Sequence, residues 1–99
     1  MKIQFERKGG FAGIPVAATI EVDQLPQPQA KDVHRTIEAA GFFSLPSNIS
    51  APAPQPDRFR YRVTIQTPQQ THTVSVDETA APPALRSLIE KLSSLARKK

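Results

Sequence analysis

Over its first seven residues the chain alternates between apolar and polar side chains. Ile3 and Phe5 fall on one side and Lys2, Gln4 and Glu6 on the other, which is the period of a half-buried strand. A second alternating run places Ile14, Val16, Ala18, Ile20 and Val22 together, with Pro15, Ala17, Thr19 and Glu21 opposite. This predicts a second strand, antiparallel to the first. Pro15 has no N–H to give to a ladder, so the opening of that strand is expected at an edge or only partly paired.

The period then changes. Pro26 and Pro28 break the extended pattern, and a helix is expected from Pro28, because proline is well tolerated in a helix's first turn. Ala30, Val33, Ile37 and Ala40 keep helical spacing, while Asp32, Arg35 and Glu38 lie on the other side at intervals that suit ion pairing. Gly41 is placed to supply a left-handed cap, and Phe42 to pack back on Ile37. The short apolar run Phe42-Phe43-Ser44-Leu45-Pro46 is expected to plug the bottom of the core. Residues 47–56, rich in proline and poor in bulky side chains, are expected to form a mobile surface loop.

From Asp57 to Gln66 the alternation returns, with Phe59, Tyr61, Val63 and Ile65 against Arg58, Arg60, Arg62 and Thr64. After the connection Thr67-Pro68-Gln69-Gln70, a fourth strand sets His72, Val74 and Val76 against Thr71, Thr73 and Ser75. Beyond Pro82-Pro83 a final helix carries Leu85, Leu88, Ile89, Leu92, Leu95 and Ala96 as its apolar stripe. The predicted fold is a two-layer α+β domain of order ββαββα. Its four-stranded antiparallel sheet has two helices packed on one face, and residues 1–99 make a single domain.

Composition narrows the functional classes. The hydrophobic fraction is 38%, with no apolar run of membrane-spanning length, and there is no cysteine for a disulfide, a thiolate nucleophile or the usual structural zinc site. The N-terminal residues have no apolar signal region, so the expected location is the cytoplasm. The formal charge of +4 is spread over Lys8, the arginine strand and the Arg97-Lys98-Lys99 tail rather than gathered in one patch. Neither His34 nor His72 has a second ligand at metal spacing, no serine sits in a nucleophile motif, and the carboxylates are scattered. The chain is therefore expected not to be an enzyme, and no metal or cofactor is expected.

Two stretches remain as binding candidates. In Gly9-Gly10-Phe11-Ala12-Gly13-Ile14, three of the chain's four glycines surround one aromatic ring. Two readings are open: a hairpin connection with Phe11 folded onto the core, or a presented tip with Phe11 as anchor for a partner's pocket. The second candidate is the row Arg58, Arg60 and Arg62, which alternation puts on one sheet face about 7 Å apart, close to the spacing of phosphates on one strand. That face carries no aromatic for base stacking, which argues against nucleic acid. A solvated sheet face is polar in any case.

Taken together, Gly9-Gly10-Phe11-Ala12-Gly13, Leu25-Pro26, Phe43-Ser44-Leu45-Pro46, Pro56-Asp57-Arg58-Phe59-Arg60-Tyr61, His72-Thr73-Val74 and Ser94-Leu95-Ala96-Arg97 resemble emfourin and its relatives. These are small bacterial proteinaceous inhibitors of thermolysin-like zinc metalloendopeptidases. The resemblance spans essentially the whole chain, and its specificity lies in the order and spacing of short motifs. It implies a reversible inhibitor, expected to be a monomer, whose partner is a thermolysin-like metalloendopeptidase. It also implies a use for the glycine-rich stretch. On that reading a loop of small residues is expected to enter the protease cleft without clashing and to bring Phe11 or Ile14 near the apolar pocket beside the zinc.

Overall fold

A computed structural model of the chain describes residues 1–9, 16–50 and 59–97. In chain order its elements are β1 (Lys2–Gly9), β2 (Val16–Glu21), α1 (Gln27–Ala40), β3 (Asn48–Ile49), β4 (Phe59–Gln66), β5 (Thr71–Asp77) and α2 (Pro83–Arg97). The strands form one five-stranded sheet in the order β2-β1-β4-β5-β3. β1 is thus an inner strand, antiparallel to β2 on one side and to β4 on the other.

The alternation read in the sequence fixes which face is buried. Ile3 pairs with Ile65 and with Ile20, and Phe5 with Val63, while Val63 also meets Val74 across β5. All of these side chains are buried, together with Val76. α1 contributes Val33 and Ile37, and α2 contributes Leu85, Leu88, Ile89 and Leu92 to the same cluster. Each such side chain is worth about 1.5–3 kcal/mol when removed from water, so this one layer carries the stability of a chain without disulfides. The opposite face of the sheet carries polar side chains, among them a hydroxyl pair of Thr64 and Thr73 at 2.9 Å.

Two details depart from the sequence expectation. The sheet has five strands rather than four and is not wholly antiparallel, because Asn48–Ile49 adds a two-residue strand parallel to β5. Its physical origin lies just upstream. Pro46 holds Leu45 in an extended conformation, and the chain stays extended into the edge of β5, where Ser75 N–H donates to the Ser47 carbonyl (2.8 Å). Ile49 packs on the core. The surface loop expected from residue 47 therefore does not start there, and residues 51–56 of that stretch lie outside the described residues. The second departure is Asp32, which pairs with Lys91 of α2 and so ties the two helices together instead of bonding along α1.

α1 begins one residue before Pro28, at Gln27. It stops where the glycine signal put its end. Gly41 is left-handed (φ 58°, ψ 42°), and its N–H closes the last turn on the Glu38 and Ile37 carbonyls. Phe42 is then buried and meets the His72 ring edge-on, with 5.6 Å between centroids. His72 Nε2 donates to the Leu45 carbonyl (2.7 Å), so this histidine clasps the turn after α1 to the sheet. No helix among the described residues is long and apolar enough to cross a membrane.

A Cβ at Gly41 would meet nothing within 4 Å, so its only cost is backbone conformation. Gly41→Ala is expected to lower stability by about 1–2 kcal/mol, and Gly41→Asn by less. Urea unfolding should register both as a shifted midpoint with unchanged slope.

Candidate functional site

The glycine-rich stretch joins the end of β1 to the start of β2. Of its six residues Gly9 is described, as the last residue of β1, where it stands opposite Phe59. Gly10, Phe11, Ala12, Gly13 and Ile14 lie outside the described residues, as does Arg58. What the structure provides is the ground on either side of the loop. Arg7 is opposite Tyr61 on β4 and opposite Val16 on β2, so both ends of the connection are held in neighbouring ladders of one sheet.

At this end the core face changes character. Phe59 and Tyr61 continue the alternation of Val63 and Ile65, but both are half-buried. Their ring centroids are 6.3 Å apart, and Tyr61 in turn lies 5.9 Å from Phe5. The Arg7 guanidinium sits over the Phe59 ring, 4.5 Å from its centroid, a geometry in which the ring's negative face attracts the cation. Glu78, in the turn after β5, accepts a hydrogen bond from the Phe59 N–H (3.1 Å), tying the first residue of β4 to the residue that follows β5. A depression of about 300 Å³ lies alongside, walled by Tyr61, Ala81 and Ile89 and rimmed by Glu78, Arg86 and Glu90.

The Tyr61 hydroxyl titrates above the ordinary tyrosine value of about 10. Burial is the main cause, with the negative charge of Glu78 adding to it, Arg7 opposing and Glu90 reinforcing.

The arginine row is a different kind of surface. Arg60 donates to Asp77 on β5 and to Asn48 on β3, so it fastens the short edge strand to the sheet. Arg62 is exposed and stands across from Glu6 and Ser75. The open face thus mixes both signs of charge, and every aromatic of the described strands lies on the other face. Among the described residues no group of three or more His, Cys, Asp and Glu side chains is placed to hold a metal ion. His34 is exposed on α1 and stands apart from His72, which is engaged with Leu45.

The match that decides the family runs across this whole arrangement: the Emfourin family model aligns with residues 5–93. The chain belongs to the Emfourin family. The matched span takes in the end of β1, the glycine-rich stretch, both edges of the sheet and most of α2. Emfourin membership points to a protease-inhibitor role, and hence to a protease partner and a chain that is not itself an enzyme. Comparison with curated proteins and with solved structures gave no match.

Sequence reasoning placed Phe59 and Tyr61 on the core face but did not find the Arg7–Phe59 stack or the Glu78 bond. The alternation in residues 2–7 put Arg7 on the side of Ile3 and Phe5, an arginine out of step with an apolar face. That was the available signal.

Tyr61 is the only tyrosine, and the chain has no tryptophan, so tyrosinate absorbance reports this site alone. The titration midpoint is expected above 10, and Glu78→Gln should move it down while burial keeps it raised. The folded chain holds the phenolic proton more tightly than the unfolded chain. Stability is therefore full below about pH 10 and falls as pH climbs through the folded-state value, which unfolding curves on either side of that window will register.

Proposed function

We infer that this emfourin-family chain is a reversible inhibitor of a thermolysin-like zinc metalloendopeptidase, and that it offers Gly9-Gly10-Phe11-Ala12-Gly13-Ile14 to the active-site cleft. The observation that carries the reading is the family match over residues 5–93, within which the glycine-rich stretch falls. The geometry on either side of the loop supports the mechanism. With Gly9 held against Phe59 and Val16 against Arg7, the two ends of the connection are fixed by backbone ladders. A segment restrained at both ends loses less conformational freedom on docking than a free peptide does. Its two halves also stay together if the chain is cut between them, which favours resealing over release. Small residues let the backbone come close to the floor of a cleft, and Phe11 or Ile14 supplies the bulk that an apolar pocket takes up.

The alternative, a nucleic-acid or general interaction surface on Arg58, Arg60 and Arg62, has less support. Arg60 is already engaged with Asp77 and Asn48, and Glu6 and Asp77 interrupt the positive face. A partner that neutralised the arginine row would first have to compete with those internal bonds.

Progress curves of thermolysin with and without the chain test the reading. The parent chain is expected to inhibit, and folded Phe11→Ala to weaken inhibition by about 30-fold or more, the loss usual for a central anchor. Arg60→Ala should inhibit like the parent. Equal inhibition by Phe11→Ala would remove the loop from the mechanism, and DNA binding that falls steeply with salt and vanishes in Arg60→Ala would favour the arginine face.

A further inference from the structure

We propose that Arg7, held on the Phe59 ring beside Tyr61, is a second contact for the protease, clasping a carboxylate on the rim of the cleft while the glycine-rich loop occupies its interior. This rests on the inhibitor reading above and adds to it a site and the chemistry of the group it takes.

Arg7 is out of place by the logic of the sheet. It belongs to the face that buries Ile3 and Phe5, yet it carries a charge there. Its Nε is shut off from water with no acceptor, and the guanidinium takes part in none of the hydrogen bonds or ion pairs among the described residues. The neighbouring carboxylates do not serve it. Glu78 accepts the Phe59 N–H, and Glu6, the adjacent residue, projects from the opposite face. A guanidinium has five donors and no acceptor, so with Nε turned inward it is the terminal nitrogens that can take an anion.

The same surroundings make it a prepared receptor. The Phe59 ring centroid lies 4.5 Å from the guanidinium carbon, Tyr61 flanks it across the ladder, and Nε is turned inward, so the head group is held before any partner arrives. A planar fork already held in place loses little freedom on closing two parallel hydrogen bonds to a carboxylate, which a flexible lysine cannot reproduce. Its position sets the range of partners. Arg7 is two residues from Gly9 and pairs with Val16, so it stands at the foot of the loop on both sides. Whatever protein surface surrounds the docked loop lies against it. The occupant that fits is an Asp or Glu side chain at the mouth of the cleft.

The test uses the full chain and thermolysin. Arg7→Lys keeps the charge and loses the fork; Arg7→Met keeps the apolar stem and loses both. Each is expected to weaken inhibition by about 10- to 100-fold, the range for a charged hydrogen-bonded pair, with the thermal unfolding midpoint of Arg7→Lys close to the parent's. Independently of any variant, the parent labelled with ¹³C-tyrosine gives ring signals from Tyr61 alone, and these are expected to shift when unlabelled thermolysin is added. Inhibition by Arg7→Lys equal to the parent's, or an inhibited complex in which the Tyr61 signals stay where they were, overturns this proposal and leaves the inhibitor reading standing. A parent chain that neither inhibits nor shifts its Tyr61 signals overturns both.

Discussion

The ladder between β1 and β4 is the constraint on which the other features hang. Side chains alternate faces along a strand, so a slip of one residue would turn every partner over. In the observed register Ile3 meets Ile65 and Phe5 meets Val63, all buried. A slip would bring Arg60, Arg62 and Thr64 beneath α2 and send the valine and isoleucine of β4 to water. The apolar pattern therefore selects one register out of several. That choice then dictates, without further cost, that Arg7 faces Tyr61 and Gly9 faces Phe59. The geometry at the foot of the glycine-rich loop is a by-product of how the core packs.

Much of this fold could be read from periodicity because the elements that bury most are also the most regular. Both helices, the cap at Gly41 and the strands around Ile3, Ile20, Val63 and Val74 announce themselves through spacing alone. β3 does not, since two residues set no period, and its pairing depends on Pro46 keeping the chain extended beside β5. The partner of Asp32 was hidden for a related reason. Spacing along α1 offers Arg35, but the packing of α1 on α2 brings Lys91 closer. The candidate site was legible as a stretch of sequence and as a family likeness. Its flanks were not, because the Arg7–Phe59 stack depends on register between segments separated by α1, which no local pattern encodes.

The two faces of the sheet put their charges to different uses. On the open face, Arg60 bonds Asp77 and Asn48 and Thr64 bonds Thr73, so these polar groups join strands. At the loop end of the core face, Arg7 has a ring beneath it and no ion pair among the described residues, and burial first, then Glu78 and Glu90, disfavour the Tyr61 phenolate. Each face still leaves a buried atom without a hydrogen bond among the described residues, Glu6 Oε1 on the open face and Arg7 Nε on the other. A net charge of +4 does not distinguish them. Only the pairing of individual groups does.

The central ladder has a kinetic side as well. Lys2 lies opposite Gln66, with α1 and the whole proline-rich stretch strung between them, whereas β4 and β5 are joined by a short turn in which Thr67 and Gln70 bond one another. Bringing distant segments together costs chain entropy before any contact rewards it, and a neighbouring hairpin escapes most of that cost. The meeting of β1 with β4 thus carries a closure cost that the β4–β5 hairpin escapes. Since β1 ends at Gly9, the strand that leads into the glycine-rich stretch is also the one that joins β2 to the rest of the sheet.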